Sequence, residues 1–162
     1  MKKNLLLTLA LCLLAQWSVA QAPKWVEKAK RAVFSVVTYD ESDKILNTGN
    51  GFFVTEDGIA LSDYSLFKGA QRAVVINSEG TQMPVEVIMG ANDMYDVVKF
   101  RVAISGKKVP ALVVAPVAPT VGASIYLLPY STQKDRSYTT GQVKEESKVC
   151  LLYTSPSPRD TR

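Results

Sequence analysis

A chain of 162 residues without a single histidine has few ways to move a proton near neutral pH, and that narrows the search for chemistry at once. The two cysteines, Cys12 and Cys150, lie close to the ends, so the long middle of the chain offers neither a thiolate nor an imidazole to a metal. No metal and no cofactor are expected. What remains are hydroxyls, amines and carboxylates. Ser65-Leu66-Phe67-Lys68 is an S-x-x-K sequence, a spacing that on a helix sets an ammonium one turn from a hydroxyl and can serve to activate a serine nucleophile. That chemistry also needs a Ser-x-Asn element and a Lys-Thr-Gly strand; the chain has neither, only Thr139-Thr140-Gly141. Taken alone, Ser65 suits the N-cap of a short helix "LFKGA", where a hydroxyl accepts an otherwise unpaired amide. Asp96, at the head of "DVVKFRV", likewise suits a turn leading into a strand.

The elements around these residues follow from hydrophobic period. Around Ser65, an apolar run "GFFVT" turns at Glu56-Asp57-Gly58, resumes at Ile59-Ala60-Leu61 and breaks at Ser62-Asp63 into a single helical turn ending at Gly69. Strand, tight turn, strand and short helix present one residue where the second strand stops. Before them, "PKWVEKAKRA" (23–32) reads as a short amphipathic helix with Pro at its start. "VFSVVTY" and "ILNTGNGFFVT" make a hairpin, and "RAVVI" and "QMPVEVIMG" flank Asn77-Ser78-Glu79-Gly80 as another. In "DVVKFRV", Val98, Phe100 and Val102 alternate with Lys99 and Arg101. Pro110, Pro116, Pro119 and Pro129 then punctuate a long apolar stretch, which fits edge strands and connections better than a central strand. Gly49 and Gly51 mark a close backbone approach at a barrel corner. Many short strands with Gly, Asp and Asn turns predict an all-β barrel or sandwich.

The two ends are expected to stand outside this domain. Lys2 and Lys3, the apolar core Leu5 to Ala15, and small residues at Ser18 and Ala20 compose a secretory signal peptide over 1–20, with the mature chain starting at Gln21. The apolar run is shorter than the roughly 20 residues that span a bilayer, and Leu11 before Cys12 stands where a lipoprotein box requires a small residue. At the other end, residues 150–160, "CLLYTSPSPRD", match codon by codon the translation of a transposon-type sequencing adapter, so 150–162 are expected to be an artefactual tail and the native sequence to be cut off after Val149. Between the ends, residues 21–149 hold 15 basic and 14 acidic side chains. Near-neutral charge gives no basic face for nucleic acid or an anionic membrane.

Three segments carry a family likeness. "GNGFFVTEDGIALSDYSLFKGA" (49–70), "GTQMPVEVIMGANDMYDVVKFRV" (80–102) and "IYLLPYSTQKDRSYTTGQVKEES" (125–147) resemble, in order and spacing, the trypsin-like periplasmic proteases of the HtrA/DegP family. The resemblance implies a trypsin-like double β-barrel over 21–149, the first barrel complete and the second partial, preceded by a short helix. It places the family's triad aspartate at Asp96 and its triad histidine at Ser65; the nucleophilic serine would lie beyond Val149. A serine has no basic nitrogen with a pKa near neutrality. The expected function is therefore a periplasmic or secreted pseudoprotease that binds peptides or unfolded segments, or scaffolds. The alternative is an active HtrA-type endopeptidase whose base and nucleophile lie past Val149. No nucleic acid and no stable membrane insertion after signal cleavage are implied.

Overall fold

The computed structural model describes residues 23–130 and 138–145; residues 1–20, expected to be a signal peptide, and 150–162, expected to be an artefactual tail, lie outside them. A helix, α1 (Lys24–Lys30), follows Pro23 and leads into eight strands. These are β1 (Val33–Tyr39), β2 (Ile45–Phe53), β3 (Ile59–Asp63), β4 (Arg72–Ile76), β5 (Gln82–Asn92), β6 (Val97–Val102), β7 (Ser124–Leu127) and β8 (Thr139–Gln142). A 3₁₀ helix, Tyr64–Phe67, interrupts the series between β3 and β4.

The first six strands close into a barrel in the order β1-β2-β3-β6-β5-β4, with β4 returning to β1. All the ladders are antiparallel. The barrel consists of two three-stranded meanders, each made of local hairpins, joined along two non-local seams: β3 against β6 and β1 against β4. Alternation decides what points inward. On β6, Val98, Phe100 and Val102 are buried while Val97, Lys99 and Arg101 are exposed. On β1, Phe34, Val36 and Thr38 share the fully buried parity. The core unites Phe34, Phe53, Val75, Val98 and Phe100 with smaller neighbours, and Phe34 meets Phe53 edge-on at 4.7 Å between ring centroids. Burying rings of this size supplies much of the driving force for closure.

Beyond Val102 the chain follows the barrel wall. Val109 N–H donates to the Glu56 carbonyl at 3.1 Å, and Leu112 N–H donates to that of Phe53 at 2.8 Å. The four prolines at 110, 116, 119 and 129 all fall outside strands, where a missing amide donor costs no ladder bond. β7 and β8 form a separate two-stranded sheet, and Trp25 of α1 stands edge-on against Tyr126 of β7 at 4.8 Å. The expected architecture, one closed barrel followed by the start of further β-structure, is the one observed.

Two glycines on β2 allow this packing. A Cβ at Gly49 would collide with the Leu66 side chain, and one at Gly51 would lie 2.5 Å from a Phe34 ring carbon and 2.8 Å from the Leu61 carbonyl oxygen. The carbonyl belongs to a paired strand and cannot retreat. Gly51→Ala is therefore expected to destabilise the barrel by about 1–3 kcal/mol, the usual range for overpacking. A fall in the urea midpoint at unchanged slope would show it; an unchanged midpoint would mean that the corner has room to spare.

Candidate functional site

The register of the β3–β6 seam builds the site. Asp63, the last residue of β3, pairs with Val97, the first of β6. Because the strands are antiparallel, whatever follows Asp63 and whatever precedes Val97 emerge together from the same end of the seam. Ser65 and Asp96 are those residues.

Three hydrogen bonds tie the start of the 3₁₀ helix to Asp96, two of them from Ser65 across 31 positions of sequence. Tyr64 N–H donates to the Asp96 carbonyl at 3.1 Å. Ser65 N–H donates to Asp96 Oδ1 at 2.6 Å, and the Ser65 hydroxyl donates to Oδ2 at 2.8 Å. Both oxygens of the carboxylate are thus engaged by one residue. These bonds to the ionised form, first the backbone one and then the hydroxyl, hold the Asp96 carboxyl below the usual aspartate range, with a smaller contribution from the Lys68 charge. Asp96 itself adopts a left-handed backbone, φ +50°, a conformation that Asp and Asn tolerate better than most residues. Asn92 shapes the preceding turn by accepting the Tyr95 amide at 3.0 Å.

This geometry inverts the expected roles at the helix start. The N-cap position of the 3₁₀ helix is Asp63, which makes no side-chain cap, and Ser65 lies inside the helix. The orphan amide of Ser65 is satisfied instead by Asp96 from the neighbouring seam. Asp96 is the cap and Ser65 the capped residue, because strand pairing delivers a stronger acceptor than any local hydroxyl.

The S-x-x-K pair does not form. Lys68 follows the helix in an extended conformation, its ammonium 2.5 Å from Asp93 Oδ1 and 5.2 Å from the Tyr64 ring centroid. The hydrogen bond to Asp93 raises the Lys68 pKa above its ordinary value. The amine is a held cation, the opposite of what a general base requires.

The helix is seated from below. Thr38 Oγ1 donates to the Leu66 carbonyl at 2.9 Å, and Asn47 Nδ2 reaches the same oxygen at 3.3 Å. The Leu66 side chain covers Gly49, and Phe67 packs against Phe100 at 5.1 Å between centroids. Sequence reasoning passed over Thr38 and Asn47. The available signal was a lone hydroxyl in the inward parity of an otherwise apolar strand, where a polar group must find a partner.

Next to this end of the seam lies an apolar cleft of about 480 Å³ between the barrel and β7, lined by Phe52, Leu61, Val97, Leu127 and Pro129 with Asp63 among them. Among the described residues, no group of three or more His, Cys, Asp or Glu side chains is placed to hold a metal ion. Nor is any helix among them long and apolar enough to cross a membrane.

The family described as a trypsin-like peptidase domain matches residues 49–161, a span that contains Ser65 and Asp96 and runs past Val149. No curated protein matches the chain.

The depressed Asp96 pKa has a signed consequence for stability. Its contribution is fully present above the unfolded aspartate value of about 3.9 and is lost as pH falls through the lower folded value. We expect Ser65→Ala to be less stable than the parent near neutrality and to converge with it in acid, below about pH 4. Urea midpoints across a pH series measure this difference. Asp57, whose carboxyl is also held low, chiefly by its bond to Thr55, cancels in the comparison. A gap of constant size from neutral to acid pH would show that the Ser65 hydroxyl does not lower the Asp96 pKa.

Proposed function

Since the chain belongs to the trypsin-like peptidase domain family, we propose that it is a pseudoprotease of HtrA type, a secreted or periplasmic domain that holds peptides or unfolded segments without cutting them. One observation carries this reading. The residue bonded to Asp96, at the seat that the HtrA resemblance gives to the triad histidine, is a serine whose hydroxyl donates at 2.8 Å.

The chemistry follows from that bond. In a serine protease the aspartate orients an imidazole, and the far nitrogen of that imidazole takes the proton from the nucleophile. A hydroxyl bonded to Asp96 has no second basic atom with which to pass a proton onward, and it is too weak a base to accept one near neutral pH. Lys68 is held as a cation by Asp93. Among the described residues nothing stands in for the imidazole. Loss of a triad base removes several orders of magnitude of rate, so any nucleophilic serine beyond Val149 would lack activation from this side of the cleft.

Binding is a different matter. The apolar cleft beside Asp63 and Val97 offers the kind of concave, largely hydrophobic surface that takes side chains of an extended peptide. Its walls depend on the barrel and on β7, and a change from histidine to serine at residue 65 leaves them untouched. Export rests on the signal-like segment 1–20.

The full-length native protein is expected to show no casein hydrolysis and no labelling by a fluorophosphonate probe above background. Labelling that disappears in Asp96→Ala would overturn the pseudoprotease reading and direct the search for a base past Val149. If a downstream serine is found, Ser65→His tests the same point from the other side. Restoring the imidazole beside Asp96 is expected to raise hydrolysis above the parent; no gain would mean that the rest of the machinery has also been lost.

A further inference from the structure

Thr38 is remote from Ser65 in sequence and completely buried, yet its hydroxyl reaches the backbone of the 3₁₀ helix one residue beyond Ser65. Within β1 it stands in the inward row with Phe34 and Val36, where an aliphatic side chain would pack as well. A buried hydroxyl in such a place must have its donor and acceptor satisfied, and here both are. The Thr38 oxygen accepts Asn47 N–H at 3.2 Å. Its single proton has two acceptors within reach, the Leu66 carbonyl at 2.9 Å and the Asn47 carbonyl at 3.3 Å; the shorter bond is the one to Leu66.

The Leu66 carbonyl is thereby bonded twice, by Thr38 Oγ1 and by Asn47 Nδ2. Thr38 and Asn47 face each other across the β1–β2 ladder. Together they form a bracket on the backbone of the 3₁₀ helix at Leu66, one residue beyond the one that Asp96 holds. The Leu66 side chain closes over Gly49 beside it. A short 3₁₀ segment has little rigidity of its own, so the direction of residue 65 has to be imposed from outside.

We infer that Thr38 is a positioning residue: its buried hydroxyl, with Asn47 beside it, fixes the 3₁₀ helix so that residue 65 meets the Asp96 carboxylate. The bracket grips the backbone at Leu66 and never touches the side chain at residue 65. It therefore acts equally on a serine or on an imidazole placed there. Its bearing on function rests on the proposed reading of residue 65. The test below reads the Ser65–Asp96 bond itself, so proteolysis by the parent would sink that reading and leave the role of Thr38 standing.

The measurement is the carboxyl titration of Asp96 by carbon NMR in the full chain labelled at aspartate, compared with Thr38→Val and Thr38→Ser. The charge that acts on Asp96 is that of Lys68, itself bonded to Asp93, and these variants alter neither. Thr38→Val keeps the shape and removes the hydroxyl; the Asp96 midpoint is expected to rise toward the ordinary aspartate range as Ser65 drifts off it. Thr38→Ser restores the donor and is expected to hold the midpoint low. A residue with a merely structural role would lower the melting temperature of Thr38→Val and leave the Asp96 midpoint in place, and that result would overturn the inference. So would a midpoint that rises equally in Thr38→Ser. If Thr38→Val does not fold, Asn47→Ala decides. It removes only the second donor to Leu66 and should shift the midpoint in the same direction by less; no shift would refute the bracket.

Discussion

The pairing of Asp63 with Val97 at the end of the β3–β6 seam is the constraint on which the rest depends. Local hairpins would build each three-stranded meander without it, and their apolar faces would remain half exposed. The seam closes one side of the barrel, buries Ala60 and Phe100 together, and fixes the sliding position of one meander against the other. A slip of one residue would turn Val98, Phe100 and Val102 outward, so core packing enforces the register strongly. The encounter of Ser65 with Asp96 is a by-product of that enforcement. Its precision comes from hydrophobic alternation on strands that contain neither residue.

Much of this was legible in the sequence because the barrel strands speak in period two. The extents of β1 and β4, the turn at Asp57-Gly58 and the alternation of β6 all follow from side-chain type alone. β5 continues to Asn92, two residues past the expected end, because β6 offers it a ladder through two irregularities that no composition rule marks. The site was legible only in part. Asp96 and Ser65 are singled out by the HtrA-like pattern, but which of them caps the helix is decided by tertiary contact, and local propensity pointed to the wrong one. Thr38 and Asn47 are easily passed over for a related reason. Threonine is an ordinary strand residue, and only knowledge of what lies above it gives its hydroxyl a purpose.

Two kinds of polar interaction serve the site differently. The bonds from Thr38 lie under the helix, with the Thr38 side chain out of water, where an unmade partner is costly. The Lys68–Asp93 pair is largely exposed, and such pairs add little to stability. What Lys68 contributes is occupancy: an amine held by Asp93 is withdrawn from Ser65. A four-residue pattern that suggests catalysis is thus dissolved by an aspartate 25 residues away.

The left-handed backbone at Asp96 bears on how such a domain can change over time. Gly, Asn and Asp are the residues that this conformation accepts readily, so asparagine is a replacement that the backbone at residue 96 would tolerate. Facing an imidazole, asparagine presents its amide with the wrong polarity and selects the wrong tautomer. Facing a hydroxyl it does no such harm, since a serine oxygen accepts as easily as it donates and Asn Oδ1 would still take the Ser65 amide. Serine at residue 65 therefore frees residue 96 from the need for charge. With a serine at residue 65, residue 96 answers to its own backbone conformation and to the Ser65 amide rather than to an imidazole.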